Sequence, residues 1–125
     1  MRRLGQLESV VMERLWSYGR PVSVREVLED IRQDRAIAYT TVMTVMDNLH
    51  RKAFLTRQMV GRAYQYVPAQ TRDQHYAAIM GEVLTDSRDR AATLLHFVEQ
   101  MSRDEVTELR EALTGRAPRS KGRRR

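Results

Sequence analysis

A mostly α-helical fold with one small antiparallel β wing is the class this 125-residue sequence predicts, and three observations carry it. Apolar residues recur at helical spacing in successive segments that are separated by caps and glycines. Two short β-type runs, Leu55–Val60 and Ala63–Val67, flank a Gly61-Arg62 tip directly after one of those helices. Charge is divided along the chain: residues 1–70 carry 11 basic and 7 acidic side chains (+4), 71–115 carry 5 and 9 (−4), and 116–125 carry 6 and none (+6). A helix that fits the major groove, followed by a basic hairpin within reach of the adjacent backbone, is the layout of a winged helix-turn-helix. The expected organisation is a winged helix-turn-helix domain over residues 1–70, a helical dimerisation region over 71–115 and a disordered basic tail over 116–125.

The first helix spans Gly5 to Tyr18, with Leu7, Val11 and Leu15 on one stripe, Met12 and Trp16 widening it, and Gly19 ending it. Pro21-Val22 reads as a stub strand. Ser23-Val24-Arg25-Glu26 is a capping box, because the Ser hydroxyl and the Glu carboxylate satisfy free N–H groups at a helix start. Val24, Val27, Leu28 and Ile31 then mark the buried face of a second helix. The third helix runs from Tyr39 to Lys52 with Val42, Val45, Met46 and Leu49 as its inner stripe. Its opposite face holds Thr40, Thr44, Asp47 and Arg51, with Met43 beside them and Thr41 and Asn48 on the flank. Ala38 stands at the cap position, where it is a poor cap. Gly61 at the first turn position suits a two-residue II′ hairpin, and alternation puts Tyr64 and Tyr66 on one face of the second strand.

Thr71-Arg72-Asp73-Gln74 opens a fourth helix to about Thr85, with Tyr76, Ile79, Met80, Val83 and Leu84 as its apolar positions. Residues 91–101 follow with Leu94, Leu95, Phe97, Val98 and Met101. Ser102-Arg103-Asp104-Glu105 caps a last helix whose stripe is Val106, Leu109 and Leu113 and whose end is Gly115. These three helices are too short and too one-sided to make a rich core alone. They pack either on their own domain or on a second copy, and dimerisation is the sharper expectation: Tyr76, Ile79, Met80, Val83, Leu94, Phe97, Val98, Met101, Val106, Leu109 and Leu113 form the dimerisation set. The tail Arg116–Arg125 either adds non-specific phosphate affinity or is a solvated end.

The chain contains no cysteine, which excludes disulfides, cysteine-based metal sites and cysteine nucleophiles. No apolar run approaches the ~18 residues of a membrane span, and no apolar segment follows Arg2 and Arg3, so the expectation is a cytoplasmic protein without a secretory signal. His50, His75 and His96 are scattered over three helices, and no Ser/His/Asp set, phosphate loop or HExxH spacing is present. No enzyme, metal or cofactor is expected.

The partner that fits is a double-stranded DNA operator. Thr40, Thr41, Met43 and Thr44 occupy the first turns of the third helix, the part that enters the groove deepest. Threonine presents a hydroxyl to base edges and a methyl to thymine, and Met43 supplies apolar contact. Tyr39 suits a phosphate, as do Ser23 and Arg25 at the start of the second helix. Arg62 at the hairpin tip is the first wing candidate and Arg57 the second. Arg51 and Lys52 face either DNA, Asp47 or solvent. Two other readings stay open: a winged-helix protein-interaction module, and a ligand-responsive regulator of the multiple-antibiotic-resistance type.

The segments Leu4-Gly5-Gln6-Leu7-Glu8 with Val11-Met12 and Leu15-Trp16, Thr40-Thr41-Val42-Met43-Thr44, and Gly61-Arg62-Ala63-Tyr64-Gln65-Tyr66-Val67-Pro68 occur in that order and resemble the penicillinase repressor family over nearly all of residues 4–113. The resemblance implies a homodimeric repressor on a palindromic operator. It also implies release by a membrane-bound sensor protease that responds to β-lactam and cuts before a Phe, here the His96-Phe97 bond. The sequence departs from the family at four positions and in one missing site. Family members often carry basic residues where Thr40 and Met43 stand, Gly where Ala53 stands and Asn where His96 stands, and the cysteine-rich metal site of the copper-responsive branch is missing.

Overall fold

The computed structural model describes residues 3–115, so the expected disordered tail lies outside the described residues. Six helices and one hairpin follow in the order α1 (Gln6–Tyr18), α2 (Val24–Arg32), α3 (Tyr39–Arg51), β1 (Leu55–Val60), β2 (Ala63–Pro68), α4 (Arg72–Thr85), α5 (Arg90–Glu99) and α6 (Arg103–Thr114). This is a winged helix-turn-helix followed by helices.

Local chemistry sets the element ends. Ser23 accepts from the Glu26 N–H at 3.2 Å while its own N–H donates to Glu26 Oε1 at 2.9 Å, so the expected capping box starts α2. Ser102 and Glu105 repeat the arrangement at α6. Gly19 and Gly115 end α1 and α6 with φ of 70° and 75°, a left-handed turn that costs a side-chain-bearing residue about 1 kcal/mol or more. α5 starts at Arg90, with Asp89 accepting from Ala92 N–H as its cap. The charged residues Asp86, Arg88 and Asp89 that precede it therefore end in a cap.

The hairpin register pairs Val60 with Ala63, Arg57 with Tyr66 and Leu55 with Pro68. Gly61 has φ 64° and Arg62 does not take a positive φ, which is the signature of the expected II′ turn and excludes I′. Val22 bridges Tyr66 in both directions, N–H to O at 3.1 Å and O from N–H at 2.7 Å, so the Pro21-Val22 stub adds a short third strand to the wing base.

The chain divides into two units, Met1–Gly81 and Glu82–Arg125. In the first, Val11, Met12, Leu15, Val22, Val27, Leu28, Ile31, Val42, Met46, Leu49, Leu55 and Tyr66 form one buried cluster. Each such side chain contributes roughly 1.5–3 kcal/mol by leaving water. Arg14 joins α1 to α2 by pairing with Asp30 at 2.9 Å and Asp34 at 2.6 Å, and the Tyr18 hydroxyl donates to Asp30 at 2.5 Å. Burial and that hydrogen bond push the Tyr18 phenol well above its ordinary range.

The division falls inside α4, eleven residues later than the boundary at residue 70 that composition suggested. The reason is an aromatic joint. His75 is buried, with its ring 5.2 Å from Trp16, 5.6 Å from Phe54 and 5.2 Å from Tyr76. Trp16 Nε1 donates to the Gln70 carbonyl at 2.9 Å, and Arg72 pairs with Glu13 at 2.6 Å. Residues 72–81 of α4 are therefore part of the first unit. In the second unit α5 and α6 bury no residue.

Candidate nucleic-acid interface

α3 buries Val42, Met46 and Leu49 and turns its first two turns outward on the other side, where Tyr39, Thr40, Thr41, Met43 and Thr44 are all exposed. Threonine and methionine at such positions give short hydrogen-bonding and apolar contacts without a charge. Ala38 supplies no side-chain cap, which leaves the start of α3 open to an outside acceptor. The Arg25 guanidinium lies 5.6 Å from the Tyr39 ring centroid, so the starts of α2 and α3 meet and present a cation and a phenol together.

Farther along α3, Asp47 Oδ2 pairs with Arg51 Nε at 3.2 Å, and Arg51 also donates to Asn48 Oδ1. Lys52 donates to Glu8 Oε2 at 2.8 Å. Burial works to raise the Glu8 carboxyl, but the Gly5 N–H and Lys52 outweigh it and hold it below its ordinary value. Arg51 and Lys52 are thus engaged within the protein.

The wing separates its two arginines. Arg62 stands exposed at the turn with no side-chain partner among the described residues. Arg57 is half-buried: one nitrogen donates to Asp47 Oδ1 at 3.2 Å and to the Tyr66 hydroxyl at 3.4 Å, and the guanidinium stacks 4.0 Å from the Tyr64 ring centroid. The sequence pointed to Arg57 as a second wing contact with DNA; in the structure its guanidinium is engaged by Asp47, Tyr66 and Tyr64. Ser23 likewise has its hydroxyl engaged as the α2 cap. Residues 23, 25, 39–41, 43, 44 and 62 come from neighbouring parts of the first unit, whereas His96 and Phe97 lie in α5, in the second.

Sequence reasoning missed the Asp47–Arg57–Tyr64–Tyr66 cluster, although a signal was present. A two-residue turn at Gly61-Arg62 sets 57 opposite 66, and alternation puts both tyrosines on that face. The Trp16–His75 joint had no such signal, since its partners are far apart in sequence.

The proposed dimerisation set is also split. Tyr76 donates to Glu13 Oε2 at 3.3 Å beside Trp16, and so lies against α1 while remaining half exposed. Met80, Val83, Leu94, Phe97, Leu109 and Leu113 are exposed large apolar residues, Leu95 joins them, and Ile79, Val98, Met101 and Val106 are partly covered. The His96 ring faces Glu99 at 3.3 Å on the outside of α5.

Among the described residues no group of His, Cys, Asp and Glu is arranged to hold a metal, and no helix is long and apolar enough to cross a membrane. An uncharged, exposed helix face beside a cation-tipped wing is the layout of a winged-helix DNA-binding protein. Residues 4–115 match the model of the penicillinase repressor family, and the chain belongs to that family of transcriptional repressors. It is 43% identical over 116 residues to Transcriptional regulator BlaI of Mycobacterium tuberculosis (strain CDC 1551 / Oshkosh), covering 90% of this chain and 84% of the relative. The same figures hold for Transcriptional regulator BlaI of strain ATCC 25618 / H37Rv. Among solved structures, Streptococcus pneumoniae FabT in complex with DNA matches with a TM-score of 0.47 at 16% identity, covering 90% of this chain and 72% of that one. MepR, a transcription regulator of the Staphylococcus aureus multidrug efflux pump MepA, matches with a TM-score of 0.49 at 14% identity, covering 90% and 76%.

Proposed function

We propose that this repressor works as a homodimer on a palindromic operator of a β-lactam-responsive or related stress regulon. Release of repression follows cleavage of the His96-Phe97 bond by a membrane-bound sensor protease. The observation that carries the dimer is the second unit itself: Leu94, Leu95, Phe97, Leu109 and Leu113 are exposed on helices that bury nothing. So much apolar surface on a soluble regulator calls for a partner, and a second copy also doubles the number of recognition helices. Thr40, Thr41, Met43 and Thr44 read base edges, Tyr39 and Arg25 hold phosphate, and Arg62 takes the minor groove or the adjacent backbone. His96 and Phe97 are exposed, which suits protease access, but their bond lies inside α5, so cleavage requires the helix to open locally.

The deciding experiment is a gel shift of the full chain on its own upstream DNA across a salt series. Salt-sensitive binding at a palindrome supports the reading; no binding leaves an interaction module. Arg62→Ala is expected to weaken binding to all sequences and to reduce the salt slope by about 0.9 per lost phosphate contact. Thr44→Ala is expected to change preference at one operator position. An unchanged salt slope for Arg62→Ala removes the wing role. Pulsing cells with a β-lactam and blotting for a fragment ending at His96 tests the release step.

A further inference from the structure

We infer that Arg57 and Asp47 form a brace that fixes the wing against the recognition helix, so that Arg57 serves DNA reading as a positioning residue and does not itself bind phosphate. The inference rests on the DNA surface proposed above. A two-stranded hairpin is marginally stable by itself. Here only Leu55 of β1 is buried and Arg57 half-buried, and the other four residues of the strand are open to solvent. Leu55 and Tyr66 anchor the base of the hairpin in the core and Val22 bridges it there; beyond that base, what ties the hairpin to α3 is the Arg57 side chain. It reaches from β1 to Asp47 on α3, meets the hydroxyl of the buried Tyr66, and lies over the Tyr64 ring at 4.0 Å from its centroid.

These contacts use two properties of the guanidinium: one charged nitrogen meets both Asp47 and Tyr66, and the face of the group meets Tyr64. A lysine offers one compact point charge and does not reproduce the contact of the guanidinium with the Tyr64 ring while it reaches Asp47. Asp47 is the other half of the device. Its two oxygens are divided between Arg57 and Arg51, so the carboxylate on the groove-facing helix is paired on both sides. An unpaired carboxylate there would repel the phosphates. The pairing removes that repulsion and also sets the angle at which Arg62 is presented.

The two roles predict opposite signs. Full-length protein is titrated by fluorescence anisotropy onto a duplex of its own upstream region between about 50 and 200 mM salt. Under the brace, Arg57→Gln and Asp47→Ala each weaken binding about fivefold, and the double variant is no weaker than the worse single one. Arg57→Lys does not restore binding, and the salt slope stays as in the parent. If Arg57 is a phosphate ligand, Arg57→Gln lowers the slope by about 0.9 and Arg57→Lys restores it. Asp47→Ala then tightens binding, because it removes a negative charge from the DNA-facing helix. Any of those three results overturns the brace. Asp47 sits on an exposed helix face where alanine is the better helix former, so this variant stays folded and gives a result even if Arg57→Gln does not. Backbone 15N relaxation at Gly61 is the second readout: its order parameter falls in Asp47→Ala if the brace holds the wing, and an unchanged value overturns the inference. Arg62→Ala runs alongside. If it too leaves binding unchanged, the DNA surface is at fault and not the brace.

Discussion

α3 and α6 carry nearly the same apolar pattern and meet opposite fates. Val42, Met46 and Leu49 on α3 are 0% exposed, while Leu109 and Leu113 on α6 are 43% and 79% exposed. The first unit closes a core around its stripes, with the aromatic joint at His75 sealing the start of α4. The second unit keeps its stripes open. Helical periodicity states which face is apolar but not what covers it. The first unit therefore has the means to fold by itself, and the second is expected to gain its stability from a second copy.

The contrast is broken most strongly in the core. Leu49→Ala is expected to remove about 3 kcal/mol of unfolding free energy at any protein concentration, measured by chemical denaturation. Leu113→Ala should leave that value unchanged in dilute protein and show its cost only as a concentration-dependent melting temperature. A cost independent of concentration would mean that α6 is covered within one chain. Next in size, Leu94→Asp combined with Phe97→Asp should raise the dimer dissociation constant about thirtyfold or more in sedimentation equilibrium. Operator affinity should fall with it, and the first unit should melt as before.

Ala53 sharpens the comparison from within the first unit. Its φ is 72°, the one positive φ outside glycine among the described residues, and it lies between α3 and β1. Ala53→Gly is expected to stabilise the first unit by about 1 kcal/mol and to leave the dimer dissociation constant unchanged.

The smallest expected effect is on acid stability. The Ser23 N–H, with Arg20 beside it, holds the Glu26 carboxyl below its ordinary 4.5, and Glu8 is depressed as well. Between those folded values and 4.5 the unfolded chain binds more protons, so this stability is complete above about pH 4.5 and drains away as pH falls through the folded values. Melting temperatures from about pH 6 down to about pH 3 should decline, and Glu8→Gln should flatten the decline. A Glu8→Gln profile as steep as the parent's would show that Glu8 contributes nothing to it.

Much of the fold was legible because it is local. Ser23, Ser102, Gly19, Gly115 and the Gly61 turn act over three or four residues, and their stripes repeat at fixed spacing. The exposed set on α3 was legible for the same reason: once Val42, Met46 and Leu49 face inward, Thr40, Met43 and Thr44 have only the outer side left. The sequence also signalled the strained position at Ala53 through the family pattern. The partners of Arg57 were not legible because its side chain answers to Asp47, ten residues away, and to two tyrosines across the strand pair. The attachment of the start of α4 to α1 was not legible because Gln70, Arg72 and Tyr76 reach back more than fifty residues to Trp16 and Glu13.

The sequence alone therefore determined where helices start and stop, which turn closes the wing, which faces are apolar and which family the chain belongs to, since all of these are written in short-range chemistry and in residue order. Only the tertiary structure decided which cation on the wing stays free and which is tied down, how far the first unit extends into α4, and which apolar stripes remain uncovered. Those outcomes depend on side chains brought together from distant parts of the chain, where the competition between a nearby carboxylate, an aromatic face and solvent is settled by packing.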